Sequence, residues 1–279
     1  MSSLDDFVSL ARSLKDFYDV QGFCRFDTFV PVDQIDNLNA KIDDHDLKPS
    51  ATVFDEDKIG KIKQIQYLNT YDAESQTILD RGLQIAEALT GHTDLEPINM
   101  QLFEKHPHIS KPTRAHQDNA YFKMTPVTGA ITLWLSLDVI DEENGCLYYA
   151  PKTHLTPTRK HSRYHNNTTF RVRSGVPGLS LCLHEHPEET DIPMRTEKGD
   201  LLAHSSNLVH RAGKNNSDKR RRAIGMVYIS KSCKEDKLLT KYHDDRLRED
   251  IELQKVKDPA NYRQLRQDFA YLFDDGKTE

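Results

Sequence analysis

The segment His116-Gln117-Asp118 places an imidazole and a carboxylate two residues apart. In an extended segment, residues i and i+2 project to the same side of the backbone, so both side chains can bind one ion. An anionic oxygen together with an imidazole nitrogen suits Fe(II), Mn(II) or Zn(II) better than a thiol-seeking metal. Because a His-x-Asp pair is also common on protein surfaces, a metal site here requires a third ligand from elsewhere in the chain.

Two histidines downstream could supply the third ligand. Short apolar runs follow Gly199, and they end at His204 and at His210. Two histidines and one carboxylate bind one face of an ion and leave three positions open for a chelating cosubstrate and oxygen. We favour His210 because it opens the segment that leads to an arginine run, while the residues alone leave His204 as a competitor.

The arginine run is Arg220-Arg221-Arg222, directly before the apolar stretch AIGMVY. A cation at the start of a buried strand is costly unless an anion neutralises it, and a guanidinium group matches a carboxylate with two hydrogen bonds. Alternation along the strand puts Arg221 on the same side as Ala223. We therefore predict that Arg221 points inward and that Arg220 and Arg222 are solvated. In the alternative, all three are surface charges.

Helices and strands must position these residues. Apolar residues at steps of three and four predict helices over 4–17 and 73–90, and Gly91 follows the second as a C-cap. From residue 94, short apolar runs alternate with turn residues, at 98–103, 120–122, 129–140, 146–151, 179–183, 200–204 and 221–230. Strands spaced in this way, with a hairpin turn at 142–145, favour an antiparallel sandwich or barrel over alternating βαβ units.

The chain after Lys231 is charged and has a helical pattern, with apolar anchors at Leu247, Ile251, Val256, Leu265, Phe269 and Leu272. No internal repeat and no low-complexity linker divides the sequence. We therefore predict a single domain over 1–279, with a β core at about 60–230 and helical flanks at both ends.

The composition excludes several classes of protein. Hydrophobic residues make up 37% of the 279 residues and charged residues 29%, which excludes a disordered chain. A formal net charge of −6 provides no global cationic surface for nucleic acid. Four cysteines without a CxxC pair argue against a zinc knuckle and a dense disulfide framework. Because no secretory signal and no apolar stretch of about 18 residues is present, we expect a cytoplasmic protein that does not bind membranes.

Several motifs, in the same order, resemble those of the phytanoyl-CoA dioxygenase family of Fe(II)- and 2-oxoglutarate-dependent oxygenases. They are HQDNAYF at 116–122, ENGCLYYAPKTH at 143–154, and GDLLAH, LVHRAGKN and RRRAIG between 199 and 225. The resemblance covers roughly residues 60–230. It implies a β-rich α+β fold, in which a double-stranded β-helix core of the jelly-roll or cupin type is flanked by helices.

The resemblance also implies roles for individual residues. It makes His116, Asp118 and His210 the iron ligands, and it makes Arg221 the arginine that binds the distal carboxylate of 2-oxoglutarate. Two further positions, Gln117 and Trp134, match residues near the cosubstrate. An upstream lysine of the family corresponds to Lys61 or Lys63, and we take Lys63 as the candidate. No catalytic residue beyond the metal ligands is implied.

The implied function is that of a dioxygenase that uses Fe(II), 2-oxoglutarate and O2 to hydroxylate or otherwise oxidise a C–H bond, with release of succinate and CO2. The arginines of a basic loop at 155–177, Arg163 among them, could bind an anionic group, and Gln101 and Glu104 could reach the substrate from the strand before the HQD motif. We therefore expect a small anionic or zwitterionic metabolite, because family membership does not fix the substrate.

Two other functions stay open at this point. A non-oxidative metal-dependent enzyme could use the same three ligands with zinc, and a catalytically degenerate protein could keep the fold and bind 2-oxoglutarate. The sequence predicts no oligomeric state.

Overall fold

The computed structural model describes residues 3–44, 53–55, 61–163 and 181–273. Its helices are α1 (Leu4–Gln21), α2 (Val32–Asp44), α3 (Ala73–Thr90), α4 (Asn119–Phe122), α5 (Lys237–Lys257) and α6 (Pro259–Asp268). Its strands are β1 (Phe23–Phe26), β2 (Val53–Asp55), β3 (Ile62–Ile65), β4 (Leu95–Lys105), β5 (Thr113–His116), β6 (Met124–Thr125), β7 (Ala130–Ser136), β8 (Leu147–Tyr149), β9 (Ser162–Arg163), β10 (Leu181–Cys182), β11 (Ile192–Met194), β12 (Leu201–Ser205), β13 (His210–Ala212), β14 (Arg221–Ser230) and β15 (Lys234–Glu235).

Two antiparallel sheets form the centre of the molecule. The larger sheet has seven strands in the order β1-β12-β7-β14-β4-β3-β2, and the smaller has four in the order β11-β8-β13-β5. The chain passes from the larger sheet to the smaller between β7 and β8, and again between β12 and β13. This arrangement agrees with the predicted double-stranded β-helix of a β-rich α+β fold.

The two predicted N-terminal helices are present, and both have defined ends. Helix α1 begins with a capping box, in which the Ser3 Oγ accepts a hydrogen bond from the backbone N–H of Asp6 and the Asp6 carboxylate accepts one from the backbone N–H of Ser3. It continues to Gln21, beyond the predicted end, and stops at Gly22 with φ +86°. Helix α3 ends at the predicted C-cap, Gly91, where φ is +76°.

The larger sheet is buried on both faces. Apolar residues of α3, including Ile78, Leu79 and Ile85, join Leu133 and Met226 in the core on one side. The opposite face of the sheet lies against the smaller sheet, where Leu147, Tyr149, Leu202 and Ala212 pack together. Side chains in the space between the two sheets are therefore enclosed, and they include His204 and Arg221 of the larger sheet and His210 of the smaller one.

Three details differ from the sequence analysis. The turn at 142–145 joins β7 to β8, which lie in different sheets, so the hairpin prediction was wrong. The β core also includes β1, well before residue 60, because β1 pairs with β12 along the sheet edge. In the C-terminal helices, Leu247, Ile251, Leu265, Phe269 and Leu272 are buried as predicted, but the Val256 side chain is exposed.

None of the helices in the described part of the chain combines the length and the apolar character needed to cross a bilayer.

Candidate metal centre

Three side chains from two distant segments converge between the sheets. His116 is the last residue of β5, Asp118 directly precedes α4, and His210 is the first residue of β13. Antiparallel pairing of β5 with β13 sets His210 opposite His116. The Nε2 atoms of both histidines lie 3.6 Å from Asp118 Oδ1, and one ligand atom from each residue lies within 4.8 Å of the others. Two nitrogens and one oxygen at these separations could bind a single metal ion.

Each of the two histidine rings is oriented by a hydrogen bond between its Nδ1 and a backbone carbonyl oxygen. His116 Nδ1 lies 2.9 Å from the carbonyl oxygen of Arg114, and His210 Nδ1 lies 3.0 Å from that of Leu208. Because a carbonyl can only accept, each Nδ1 carries the hydrogen and each Nε2 keeps its lone pair toward Asp118. Such an outer hydrogen bond fixes the tautomer of a metal-binding histidine.

The charge states of the cluster also suit a metal. For Asp118, burial alone would raise the pKa, but the neighbouring His210, His116 and His204 outweigh it, so the pKa lies well below the usual value. Burial, together with the neighbouring His116 and His204, lowers the pKa of His210 to about 3, although Asp118 raises it. The carboxylate is therefore ionised and His210 is neutral, as metal ligands must be.

His204, the competitor for the third ligand, lies beside the cluster in a different position. Its Nε2 is 3.3 Å from Asp118 Oδ2, the oxygen that faces away from the other two histidines. The same Oδ2 accepts a hydrogen bond of 2.7 Å from Thr132 Oγ1. The His204 Nδ1 in turn lies 2.8 Å from the Tyr149 hydroxyl. His204 thus contacts a candidate ligand and lies outside the three-residue cluster.

Thr132 and Tyr149 were not identified from the sequence. Thr132 precedes Trp134 by two residues on β7, so period-two alternation from the predicted Trp134 could have placed it on the inner face. For Tyr149 no local signal exists, because its partner His204 belongs to the other sheet.

Arg221 lies at the start of β14 with 3% of its surface exposed, as its predicted inward orientation requires. Its Nε and Nη1 atoms are buried and have no hydrogen-bond partner among the described residues. Burial lowers the pKa of this guanidinium group to about 10, although the neighbouring Cys146, Asp138 and Glu104 raise it. A buried cation with two unused donors is costly unless an anion binds there.

Trp134 forms the wall beside this guanidinium group. The Arg221 Cζ lies 5.8 Å from the Trp134 ring centroid, and the Phe103 ring stacks on the same indole at 5.1 Å. Gly225 pairs with Trp134 across β14 and β7, and a Cβ at that position would lie 3.0 Å from the Phe103 ring and 3.5 Å from the indole. Because Gly225 has no side chain, the Phe103 and Trp134 rings can occupy this space.

The other two arginines of the run are ion-paired. The prediction of a solvated side chain was wrong for Arg222, which is largely buried, while Arg220 is partly exposed. The Arg222 guanidinium donates to both carboxylate oxygens of Asp138, and Arg220 donates to Asp43 and Glu104. Glu104, predicted as a pocket residue, is buried in this ion pair, on the face of β4 opposite Phe103. Its carboxylate therefore belongs to the scaffold.

Gln117 projects away from the cluster and is completely buried. Its amide nitrogen donates to the carbonyl oxygen and to the Oδ1 of Asn207, at 2.7 and 3.0 Å, and its Oε1 accepts the backbone N–H of Arg159 at 2.8 Å. Both amide hydrogens are therefore used within the protein, and the predicted contact with a cosubstrate has no support in these contacts. The hydrogen bond from the Arg159 backbone to Gln117 holds the loop at 153–163 against the HQD segment.

The remaining predicted residues are placed as follows. Lys61 and Lys63 are exposed, and Gln64 is the β3 residue that pairs with Phe103. Gln64 donates a hydrogen bond to Gln101, which lies on the same face of β4 as Phe103. The assignment of a lysine to the cosubstrate therefore stays a prediction, and the register of β3 with β4 favours Gln64 over either lysine on the inner face. The substrate contact of Gln101, which lies on that face, also stays a prediction. The backbone of Arg163 pairs with Leu181, but its side chain and residues 164–180 of the basic loop lie outside the described part.

Comparisons with known proteins agree with this geometry. The sequence profile of the family described as "Phytanoyl-CoA dioxygenase (PhyH)" matches residues 18–223. The chain is 25% identical to the peroxisomal phytanoyl-CoA dioxygenase of Rattus norvegicus over 248 residues, which covers 81% of this chain and 70% of the rat protein. The human enzyme is also 25% identical, over 80% of this chain and 70% of its own length.

Two solved structures share the fold. EvdO2 from Micromonospora carbonacea var. aurantiaca superposes with a TM-score of 0.66 at 22% identity, over 79% of this chain and 91% of EvdO2. The epimerase SnoN, crystallised with Fe3+, alpha-ketoglutarate and nogalamycin RO, superposes with a TM-score of 0.62 at 18% identity, over 81% of this chain and 85% of SnoN. At these identities the likeness establishes the architecture of the two sheets.

Proposed function

Because the chain belongs to the phytanoyl-CoA dioxygenase family, we propose that it is an Fe(II)- and 2-oxoglutarate-dependent dioxygenase. In this proposal His116, Asp118 and His210 bind the iron and Arg221 binds the distal carboxylate of 2-oxoglutarate. One observation carries the proposal: a buried guanidinium group with two unused donors lies on the larger sheet, whose neighbouring strand β7 contacts the His-Asp-His cluster through Thr132 and Asp118.

The donor set fits a ferrous ion. Two neutral imidazole nitrogens and one carboxylate oxygen on one face of an ion form the arrangement typical of non-haem Fe(II) oxygenases. When bound, Fe(II) and 2-oxoglutarate together activate O2 for oxidation of a C–H bond, with release of succinate and CO2. The protein residues determine where this chemistry occurs, because they orient the ligands and exclude water.

The cosubstrate position follows from strand β7. Thr132 and Trp134 are two residues apart on the inner face, and one contacts Asp118 while the other lies beside Arg221. Alternate residues on one face of a strand are about 7 Å apart, a distance that suits a short dicarboxylate with one end at the metal and the other at Arg221. The planar guanidinium group can bind that far carboxylate through two hydrogen bonds.

The surroundings of Arg221 would hold the cosubstrate in a dry site. The stacked Trp134 and Phe103 rings form an apolar wall, and Ala223 and Gly225 leave space along β14 without adding polar groups. Because water is excluded, the attraction between the guanidinium group and a carboxylate is stronger than at a surface. Arg221 thus both neutralises and orients the far end of the cosubstrate.

For the substrate we propose a small anionic or zwitterionic metabolite, contacted by Gln101 and Arg163. Gln101 supports this because it lies on the inner face of β4 and forms a polar pair with Gln64. Arg163 supports it through its basic type and its place in the loop that follows the PKTH segment. The phytanoyl group is not carried over, since a fold and its metal site accept many substrates.

The test is reconstitution of the purified chain with Fe(II) and 2-oxoglutarate under anaerobic conditions. We expect a visible metal-to-ligand charge-transfer band and, after O2 is admitted with a panel of small anionic and zwitterionic metabolites, substrate-dependent succinate. Asp118→Ala should lose the band, while Asp191→Ala, which removes a carboxylate from the Arg211 ion pair, should keep it.

Two results would contradict the proposal. Zinc-dependent turnover without 2-oxoglutarate would indicate a non-oxidative metalloenzyme. Tight 2-oxoglutarate binding without succinate from any member of the panel, and without slow uncoupled turnover, would indicate a binding protein.

A further inference from the structure

A buried chain of hydrogen bonds connects Tyr149 to Asp118 through His204. The Tyr149 hydroxyl lies 2.8 Å from His204 Nδ1, and His204 Nε2 lies 3.3 Å from Asp118 Oδ2. Tyr149 is on β8 of the smaller sheet and His204 is on β12 of the larger one, so the chain bridges the two layers. Tyr149 is 0% and His204 1% exposed, so among the described residues the Tyr149 hydroxyl and His204 Nδ1 depend on each other for a hydrogen bond.

The Tyr149 hydroxyl determines which atoms donate and which accept along this series of hydrogen bonds. A tyrosine hydroxyl carries a single hydrogen at neutral pH, and the described partner for the Tyr149 hydrogen is His204 Nδ1. A neutral imidazole that accepts at Nδ1 carries its own hydrogen on Nε2. His204 therefore donates toward the carboxylate. In the other tautomer, the Nε2 lone pair would face the anionic Oδ2.

The two oxygens of Asp118 consequently have different partners. Oδ2 accepts from Thr132 at 2.7 Å and from His204 at 3.3 Å. Oδ1 faces the Nε2 atoms of His116 and His210, each at 3.6 Å. A carboxylate can bind an ion through one oxygen or through both, and a second bond from Asp118 would occupy a position that the cosubstrate or O2 needs. Two hydrogen bonds on Oδ2 oppose that second bond.

We propose that Tyr149 and His204 are positioning residues that keep Asp118 a ligand through Oδ1 alone, with Tyr149 acting by setting the tautomer of His204. The inference rests on the proposed function, because it takes Asp118 to be a metal ligand. It adds two residues to the machinery of the site, and neither of them belongs to the His-Asp-His cluster.

The test measures metal binding and metal geometry, with Co(II) as the probe. Co(II) affinity is determined by calorimetry, and the electronic absorption spectrum of the bound Co(II) reports its coordination. Loss of an outer-shell partner lowers metal affinity about 10- to 100-fold, and we expect Tyr149→Phe and His204→Ala to weaken Co(II) binding by amounts in this range and to change the spectrum. His204→Gln, whose amide can donate to Oδ2, should stay close to the unchanged protein in both measurements.

A double variant tests whether Tyr149 acts through His204. In the His204→Gln background no imidazole tautomer exists, so addition of Tyr149→Phe should cause no further loss of Co(II) affinity. The matched control is Tyr228→Phe, since the Tyr228 hydroxyl is equally buried but donates to the Leu79 carbonyl oxygen at 2.7 Å, between α3 and the larger sheet. This control should bind Co(II) with unchanged affinity and an unchanged spectrum.

Each contrary outcome has a separate meaning. If Tyr149→Phe binds Co(II) with the affinity and the absorption spectrum of the wild-type protein, the inference is wrong while the proposed function stands. The same holds if Tyr149→Phe costs as much in the His204→Gln background as alone. If the unchanged protein binds no Co(II), or if Asp118→Ala binds it equally well, the ligand assignment of the proposed function is wrong, and this inference is wrong with it.

Discussion

His116 and His210 face each other across β5 and β13, with ring centroids 4.2 Å apart and both Nδ1 atoms bound to a backbone carbonyl two residues earlier. The two Nε2 lone pairs therefore converge on one point beside Asp118. Preorganisation of this kind lowers the cost of binding, since the ligands need not be ordered by the metal. His210 is thus held in place by the strand pairing itself.

The first prediction concerns His210. We expect His210→Ala to weaken Fe(II) binding by roughly 100-fold or more, because removal of a ligand should cost at least as much as removal of its outer partner. Anaerobic titration with Fe(II) measures this. His186→Ala is the control, since His186 pairs with Asp191 outside the cluster. Fe(II) binding that survives in His210→Ala but not in His204→Ala would show that the wrong histidine was assigned.

The second prediction concerns Arg221. Arg221→Lys should weaken 2-oxoglutarate binding about 10- to 100-fold, because lysine cannot form the paired hydrogen bonds of a guanidinium group. Fe(II) affinity should stay unchanged, as Arg221 is no part of the His-Asp-His cluster. The charge-transfer band, titrated with 2-oxoglutarate, measures the change. Arg222→Lys, which alters the ion pair with Asp138, should bind 2-oxoglutarate normally. Equal losses in both variants would contradict the role of Arg221.

The third prediction concerns the stability of the metal-free protein against pH. Burial lowers the pKa of His161 from 6.5 to about 4, so between these values the unfolded chain binds a proton that the folded chain does not. The free energy of unfolding should therefore fall as the pH is lowered through this range, and His161 should account for about 3 kcal/mol of the loss.

Urea unfolding at a series of pH values tests this prediction. The His161 Nε2 accepts the backbone N–H of Gln117, and in His161→Gln a side-chain oxygen can accept it without titrating. This variant should show a shallower pH dependence. The same slope in both proteins would mean that other groups, such as His210, carry the entire effect.

The fourth prediction concerns Asn207, whose side chain is hydrogen-bonded to Gln117 of the HQD segment. Its side chain accepts from Gln117 and Thr158 and donates to the carbonyl oxygens of His154 and Thr156. Asn207→Ala leaves several buried polar groups without partners, so we expect a loss of about 3 kcal/mol in the free energy of unfolding. Denaturant unfolding measures it, with the exposed Asn216→Ala as control. A loss equal to that of the control would contradict the network.

Local patterns in the sequence determined much of this protein. The ends of α3 followed from a 3.6-residue period and a terminal glycine, because a helix is held by bonds between near neighbours. Period-two alternation likewise brought His116 and Asp118 to one side and turned Arg221 inward. These features depend on residues within a few positions of each other, and they are readable without any knowledge of the rest of the chain.

Tertiary structure decided the points that depend on strand pairing between distant segments. The residues alone favour His210 but leave His204 open, whereas the turn between them carries the chain from the larger sheet to the smaller, and β13 is the described strand that pairs with β5. The partners of Asp118 Oδ2 and of Gln117 were undetermined for the same reason. The packing of the two sheets determines the register between remote strands. The periodicity of one segment therefore does not identify the strand with which it pairs.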